Sequence, residues 1–197
     1  MEDRHALMIR SMAADRAEPL LKREVCADFD YHAVRALRRE IMEVYIDENG
    51  VEAKPGLLPM LRDLKRMGMR IALATATPEV RARKYLRMVG VETAFDAVAC
   101  AEMVAHGKPA PDVYLLAAQK LNLPPKELLG VEDSPSGVKS AHAAGMTVAM
   151  IPDQDQPSPE IAALCALVPP TQGSIAPFVG NSFSHVCGVP APSKKES

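Results

Sequence analysis

From Pro55 onward, amphipathic helical stretches alternate with short apolar runs, and no other feature of the 197 residues constrains the fold as strongly. The runs Arg70-Ile71-Ala72-Leu73-Ala74, Phe95 to Ala99, Leu128 to Val131 and Thr147 to Ile151 are nearly continuous in apolar residues, as expected for strands buried on both faces. Between them, the spacing predicts a helix from Leu57 to Met67 ended by Gly68. A second starts at Thr77-Pro78 and stops at Gly90, a third covers Asp112 to Leu121, and a fourth follows Asp133 to Ala144. Strand and helix in alternation imply right-handed crossovers and a three-layer α/β fold with a parallel sheet.

Residues 1–53 read as helices only. Asp30 is placed to cap a helix, Val34, Leu37, Ile41 and Tyr45 recur at helical spacing, and Asn49-Gly50 is a stop. The looser pattern from Leu7 to Val25 is expected to break at Pro19. Beyond Ile151 come a proline-rich stretch, one short helix to about Leu167, and a tail over 180–197 whose Pro, Gly and Ser content suits disorder. The expected layout is a helical unit over 1–53, an α/β core over 54–179 and a disordered tail over 180–197.

A 48% hydrophobic chain of this length can bury one core with a small appended unit. The net charge of −2 supplies no basic field, so neither nucleic acid nor an anionic lipid surface is an expected partner. Cys26, Cys100, Cys165 and Cys187 are widely spaced with no C-x-x-C pair, which points to free thiols in a reducing compartment. No apolar run is long enough to span a bilayer and the charged N-terminus is unlike a signal peptide. Cytoplasm is the expected location.

Ligands of an open parallel sheet gather outside the carboxyl ends of its strands, and three clusters fall there. Thr75 and Ala76 follow the strand ending at Ala74, where a hydroxyl and free N–H groups can hold a phosphoryl oxygen near a helix start. Thr75 and Thr77 read equally as a turn residue and a helix cap. Lys108 sits in Gly107-Lys108-Pro109-Ala110-Pro111-Asp112, a stiff setting for a point charge facing phosphate, though a solvated loop lysine would look the same. Glu132 and Asp133 end the strand of Leu128-Leu129-Gly130-Val131-Glu132-Asp133-Ser134. Adjacent carboxylates on an apolar strand call for a cation, and a hard divalent ion such as Mg²⁺ is the simplest; Asp133 or Ser134 could instead merely cap the next helix.

Together, Thr75, the Gly107-Lys108-Pro109 loop and Gly130-Val131-Glu132-Asp133-Ser134 resemble motifs two, three and four of the haloacid dehalogenase superfamily, in its phosphatase and β-phosphoglucomutase-like branch. The resemblance covers roughly residues 55–151 and implies a Rossmann-like core. It implies that Thr75, Ala76 and Lys108 bind a phosphoryl group and that Asp133, with Glu132, holds Mg²⁺. It further implies a small phosphorylated metabolite as substrate, turned over by a phosphatase or a phosphomutase relative, and it makes residues 1–53 part of a helical cap.

The family's first motif, Asp-x-Asp-Gly-Thr/Val at the end of a first, central strand, carries the attacking carboxylate, and nothing in this sequence matches it. Asp28-Phe29-Asp30-Tyr31 lacks the preceding strand and the following glycine. The chain as written is therefore expected to be nearly inert, with a misassigned start or a truncation as the explanation. The alternative is a non-catalytic phosphate-binding or interaction remnant. To cover the gap in the sheet, the flanking strands would pair directly, or a strand would be borrowed within a homo-oligomer.

Overall fold

The computed structural model describes His5 and residues 14–153, 155–179 and 185–187. Two compact units divide the chain, Met1–Gly50 and Val51–Ser197. Among the described residues no helix is long and apolar enough to cross a membrane.

In the first unit, helices α1 (Ala14–Glu24) and α2 (Tyr31–Asn49) meet over buried Ala17, Leu21, Phe29 and Tyr31. Asp30 caps α2 as expected, its carboxylate accepting the Ala33 N–H at 2.8 Å. Pro19 does not break the chain where its sequence suggested, since α1 runs straight through it. Proline forfeits one backbone hydrogen bond, and the complete burial of Ala17 and Leu21 on either side offsets that loss. The helical spacing of Val34, Leu37 and Ile41 is real, yet these side chains are 37%, 57% and 61% exposed.

The second unit contains α3 (Leu57–Arg66), β1 (Ile71–Thr75), α4 (Glu79–Val89), β2 (Ala97–Cys100), α5 (Asp112–Leu121), β3 (Leu128–Glu132), α6 (Pro135–Ala143), β4 (Thr147–Met150), α7 (Pro159–Ala162), α8 (Ile175–Val179) and β5 (His185–Cys187). The strands form one parallel sheet in the order β2-β1-β5-β3-β4.

Period-two alternation separates the two faces of this sheet. Ile71, Leu73, Leu129 and Val131 pack with Leu57, Leu61, Leu64 and Leu86 of α3 and α4. Ala72, Ala74 and Leu128 pack with Val113, Tyr114, Ala117, Val138 and Ala141 of α5 and α6. Small residues let α6 approach closely: a Cβ on Gly130 would lie 2.8 Å from that of Ala141. Because Glu132 shares the parity of Leu128 and Gly130, its side chain is delivered to the α5–α6 face.

The most consequential departure from the sequence reading is β5. Three residues of the expected disordered tail occupy the middle of the sheet, with Val186 opposite both Ile71 and Leu129, and Cys187 opposite Ala72 and Gly130; the rest of 180–197 lies outside the described residues. The gap is thus not closed by direct pairing of β1 with β3. This chain's own C-terminal segment fills it. A run as short as His185-Val186-Cys187, with Gly188 and Pro190 behind it, gives too little pattern to read as a strand.

Candidate functional site

Thr75, Lys108, Glu132 and Asp133 come together at the carboxyl ends of β1 and β3. The hub is the Lys108 ammonium, which donates to the Ala74 carbonyl oxygen at 3.1 Å and pairs with Glu132 Oε1. Lys108 therefore bridges the two strand ends, one residue before Thr75 and one before Asp133.

The loop carrying Lys108 is fastened at three points. The Asp112 carboxylate, at the start of α5, accepts the His106 backbone N–H at 3.2 Å and meets its ring Nδ1 at 3.1 Å. Ala110 N–H donates to the Gly107 carbonyl oxygen at 3.0 Å. Ser140 of α6 donates its hydroxyl to the Ala110 carbonyl oxygen at 2.6 Å. A lysine on so constrained a backbone loses less entropy when it binds an anion than one on a free loop. The His106 ring is itself largely exposed, as expected for a loop histidine.

Thr75 Oγ1 accepts the Thr77 N–H at 3.1 Å, closing the turn that leads into α4. The first N–H of that helix, on Glu79, is used by Glu102 Oε1 at 2.9 Å. Thr75 is half-buried and Ala76 exposed beside it, so both a hydroxyl and a backbone N–H stand at the edge of the sheet.

The two acids of β3 have different environments. Glu132 is 4% exposed, and both its oxygens are engaged. Oε1 takes Lys108 and the Tyr114 hydroxyl, the latter at 2.5 Å; Oε2 takes the Ser134 hydroxyl at 3.2 Å and the Asp133 N–H at 3.3 Å. The carboxylate fills the notch left by Gly137, where any Cβ would overlap it. Asp133 is more open. Burial, then the neighbouring Glu132 charge, push its carboxyl above the usual carboxylate range, against the pull of Lys54 and Lys108. The Lys54 ammonium lies 2.7 Å from Asp153 and 3.7 Å from Asp133.

Tyr114, Lys54 and Asp153 belong to this neighbourhood although the sequence did not single them out. Tyr114 falls in the apolar face of α5, where a completely buried tyrosine implies a partner for its hydroxyl. Lys54 immediately precedes Pro55-Gly56, where the strand–helix alternation begins, and Asp153 follows the last strand of that alternation.

No group of three or more His, Cys, Asp or Glu residues able to hold a metal ion occurs among the described residues. The donor chemistry fits a hard cation at Asp133, whose carboxylate is partly open, and not at Glu132, whose oxygens are spent on protein partners. Magnesium is commonly held by one or two carboxylates with phosphate oxygens and waters completing its shell, so Asp133 alone is a workable anchor.

Known proteins resemble the chain in both sequence and fold. A family model described as haloacid dehalogenase-like hydrolase matches residues 5–145. The phosphorylated carbohydrates phosphatase of Thermotoga maritima is 38% identical over 96 residues, which is 49% of this chain and 44% of that protein. The chain spans about half the length of the curated relatives it matches. A β-phosphoglucomutase-like structure from Thermotoga maritima superposes with a TM-score of 0.71 at 25% identity, covering 91% of this chain and 82% of that one. A hydrolase of the same superfamily from Deinococcus radiodurans R1, crystallised with phosphate and sodium, gives 0.65 at 26% identity over 85% of this chain and 75% of its own. Phosphatases and β-phosphoglucomutase-like proteins thus surround this sequence, and the chain belongs to the haloacid dehalogenase-like hydrolase family.

Proposed function

We propose that residues 51–197 carry the phosphoryl-binding part of a phosphatase site for small phosphorylated metabolites such as sugar phosphates. The observation that carries this reading is the placement of Lys108, tied to both Ala74 and Glu132, between the open end of β1 and Asp133. Phosphoryl transfer needs charge neutralisation and positioning more than covalent work. The Thr75 hydroxyl and the Ala76 N–H orient one phosphoryl oxygen, and the Lys108 ammonium neutralises another. Asp133 is the residue that would hold Mg²⁺, which when bound supplies further neutralisation of the phosphoryl oxygens. Glu132 acts one step back, as the counter-charge that keeps Lys108 in place.

What this cradle lacks is an attacking carboxylate. The middle strand β5 is His185-Val186-Cys187 and carries no carboxylate, and the further open acid nearby, Asp153, is paired with the Lys54 ammonium at 2.7 Å. The reading is therefore binding without efficient turnover by these 197 residues alone. Titration calorimetry of the chain with inorganic phosphate and Mg²⁺ should show saturable binding, weakened about 10-fold or more by Lys108→Met, since a hydrogen bond to a charged group contributes about 1.5–3 kcal/mol. Hydrolysis of p-nitrophenyl phosphate should stay near background. Absence of phosphate binding would reject the cradle; robust turnover abolished by Asp133→Ala would reject the missing nucleophile.

A further inference from the structure

We infer that Tyr114 is a positioning residue for Lys108, acting through the carboxylate that the two share. The inference rests on Lys108 being the phosphoryl-binding group. Tyr114 is completely buried, and its hydroxyl donates to Glu132 Oε1 at 2.5 Å, the same oxygen that pairs with the Lys108 ammonium. That ammonium also lies 5.1 Å from the centroid of the Tyr114 ring. One side chain thus touches both members of the ion pair, the acid with its hydroxyl and the base with its ring face.

The chemistry of a shared oxygen gives this contact a direction. A buried carboxylate paired with a single lysine draws the ammonium tightly to itself, because the low local dielectric strengthens the attraction. A second donor on the same oxygen takes up part of that negative charge. Glu132 then fixes the place of Lys108 without fully neutralising it, and the ammonium keeps charge to offer an incoming anion. The ring face, with its negative quadrupole, adds a weaker hold perpendicular to the first. Ser134 and the Asp133 N–H satisfy the other oxygen, so Oε1 is where Lys108 and Tyr114 compete.

Tyr114→Phe tests this, since it keeps the ring and the core volume and removes only the hydroxyl. Competitive acetylation of the folded chain with acetic anhydride, read lysine by lysine by mass spectrometry against exposed Lys65, reports how tightly Lys108 is held. In Tyr114→Phe the Lys108 rate should fall by at least about 3-fold, near the lower end of the net effect of one intramolecular hydrogen bond, and phosphate affinity should fall with it. In a Glu132→Gln background the same substitution should change neither quantity. An unchanged or faster Lys108 rate in Tyr114→Phe overturns the inference by itself, whether or not Glu132→Gln folds. An equal effect in both backgrounds overturns it too, because it would show that Tyr114 acts only through packing. A slowed Lys108 in a chain that binds no phosphate would leave this arrangement standing and remove the phosphatase reading; phosphate binding with no labelling response would do the reverse.

Discussion

Asp133 is the residue at which the site is least comfortable. It follows a carboxylate already committed to other partners, it is partly buried, and among the described residues Lys54 at 3.7 Å and then Lys108 offset its charge. Its proton is held more tightly in the folded chain than in the unfolded one, so the folded state binds the extra proton and stability falls as pH rises upward from the ordinary carboxylate value of about 3.9. Asp133→Asn should therefore raise the melting temperature at pH 7, with the gain shrinking to nothing below about pH 4. Thermal melts across that range check it; a loss of stability at neutral pH would show that the Lys54 contact outweighs burial. A cation bound at this edge would relieve the same strain, because it would add the positive charge that Lys54 and Lys108 supply only in part. Of the site, the sequence reveals the residues that stand at strand ends and in stiff loops, namely Thr75, Lys108 and Asp133, because their positions follow from strand boundaries. It conceals the roles of Tyr114 and Glu132, which depend on which face of β3 meets which helix, a matter of parity and packing that no local spacing records.

At the level of elements, the boundaries that were legible are those with a chemical stop. Asp112–Leu121 is a helix over the expected residues, α4 ends at Gly90 in the left-handed conformation, and Asp30 caps α2. The join between α3, β1 and β2 relies instead on a distant side chain. Asp96, just before β2, accepts the Ile71 N–H at 2.7 Å and both of its oxygens lie 2.9 Å from the Lys65 ammonium. Burial works to raise its pKa, but the Lys65 and Ile71 hydrogen bonds together bring it below the usual value. A depressed folded value means that the contribution is present above about pH 3.9 and is lost as pH falls below it. Asp96→Asn should cost about 1–2 kcal/mol at pH 7, the range for a hydrogen bond to a charged group lessened by partial exposure. The gap between variant and wild type should narrow in acid denaturation, and a gap independent of pH would refute the assignment.

At the scale of the whole molecule, the question is what holds the middle of the sheet, between β1 and β3. Parallel direction and the position of the site edge follow from the alternation after Pro55, whereas a central strand between β1 and β3 is implied only by the family resemblance. The identity of that strand is a long-range pairing, fixed by the register of His185, Val186 and Cys187 with β1 and β3, which is why composition pointed instead to a tail. Parallel pairing on both sides makes β5 sensitive to loss of its backbone donors, and proline is confined to edge strands for that reason. Val186→Pro should therefore destabilise the second unit by about 3 kcal/mol, taking the cost of an interior proline in a helix as a guide, or roughly 6–12 °C in melting temperature. Val186→Ala, which keeps the N–H, should cost far less. A Val186→Pro chain that melts with the wild type would mean that the sheet closes without its C-terminal strand. Melting earlier and less cooperatively would mean that the edge that holds Lys108 and Asp133, built on β1 and β3, depends on a segment more than fifty residues beyond Asp133.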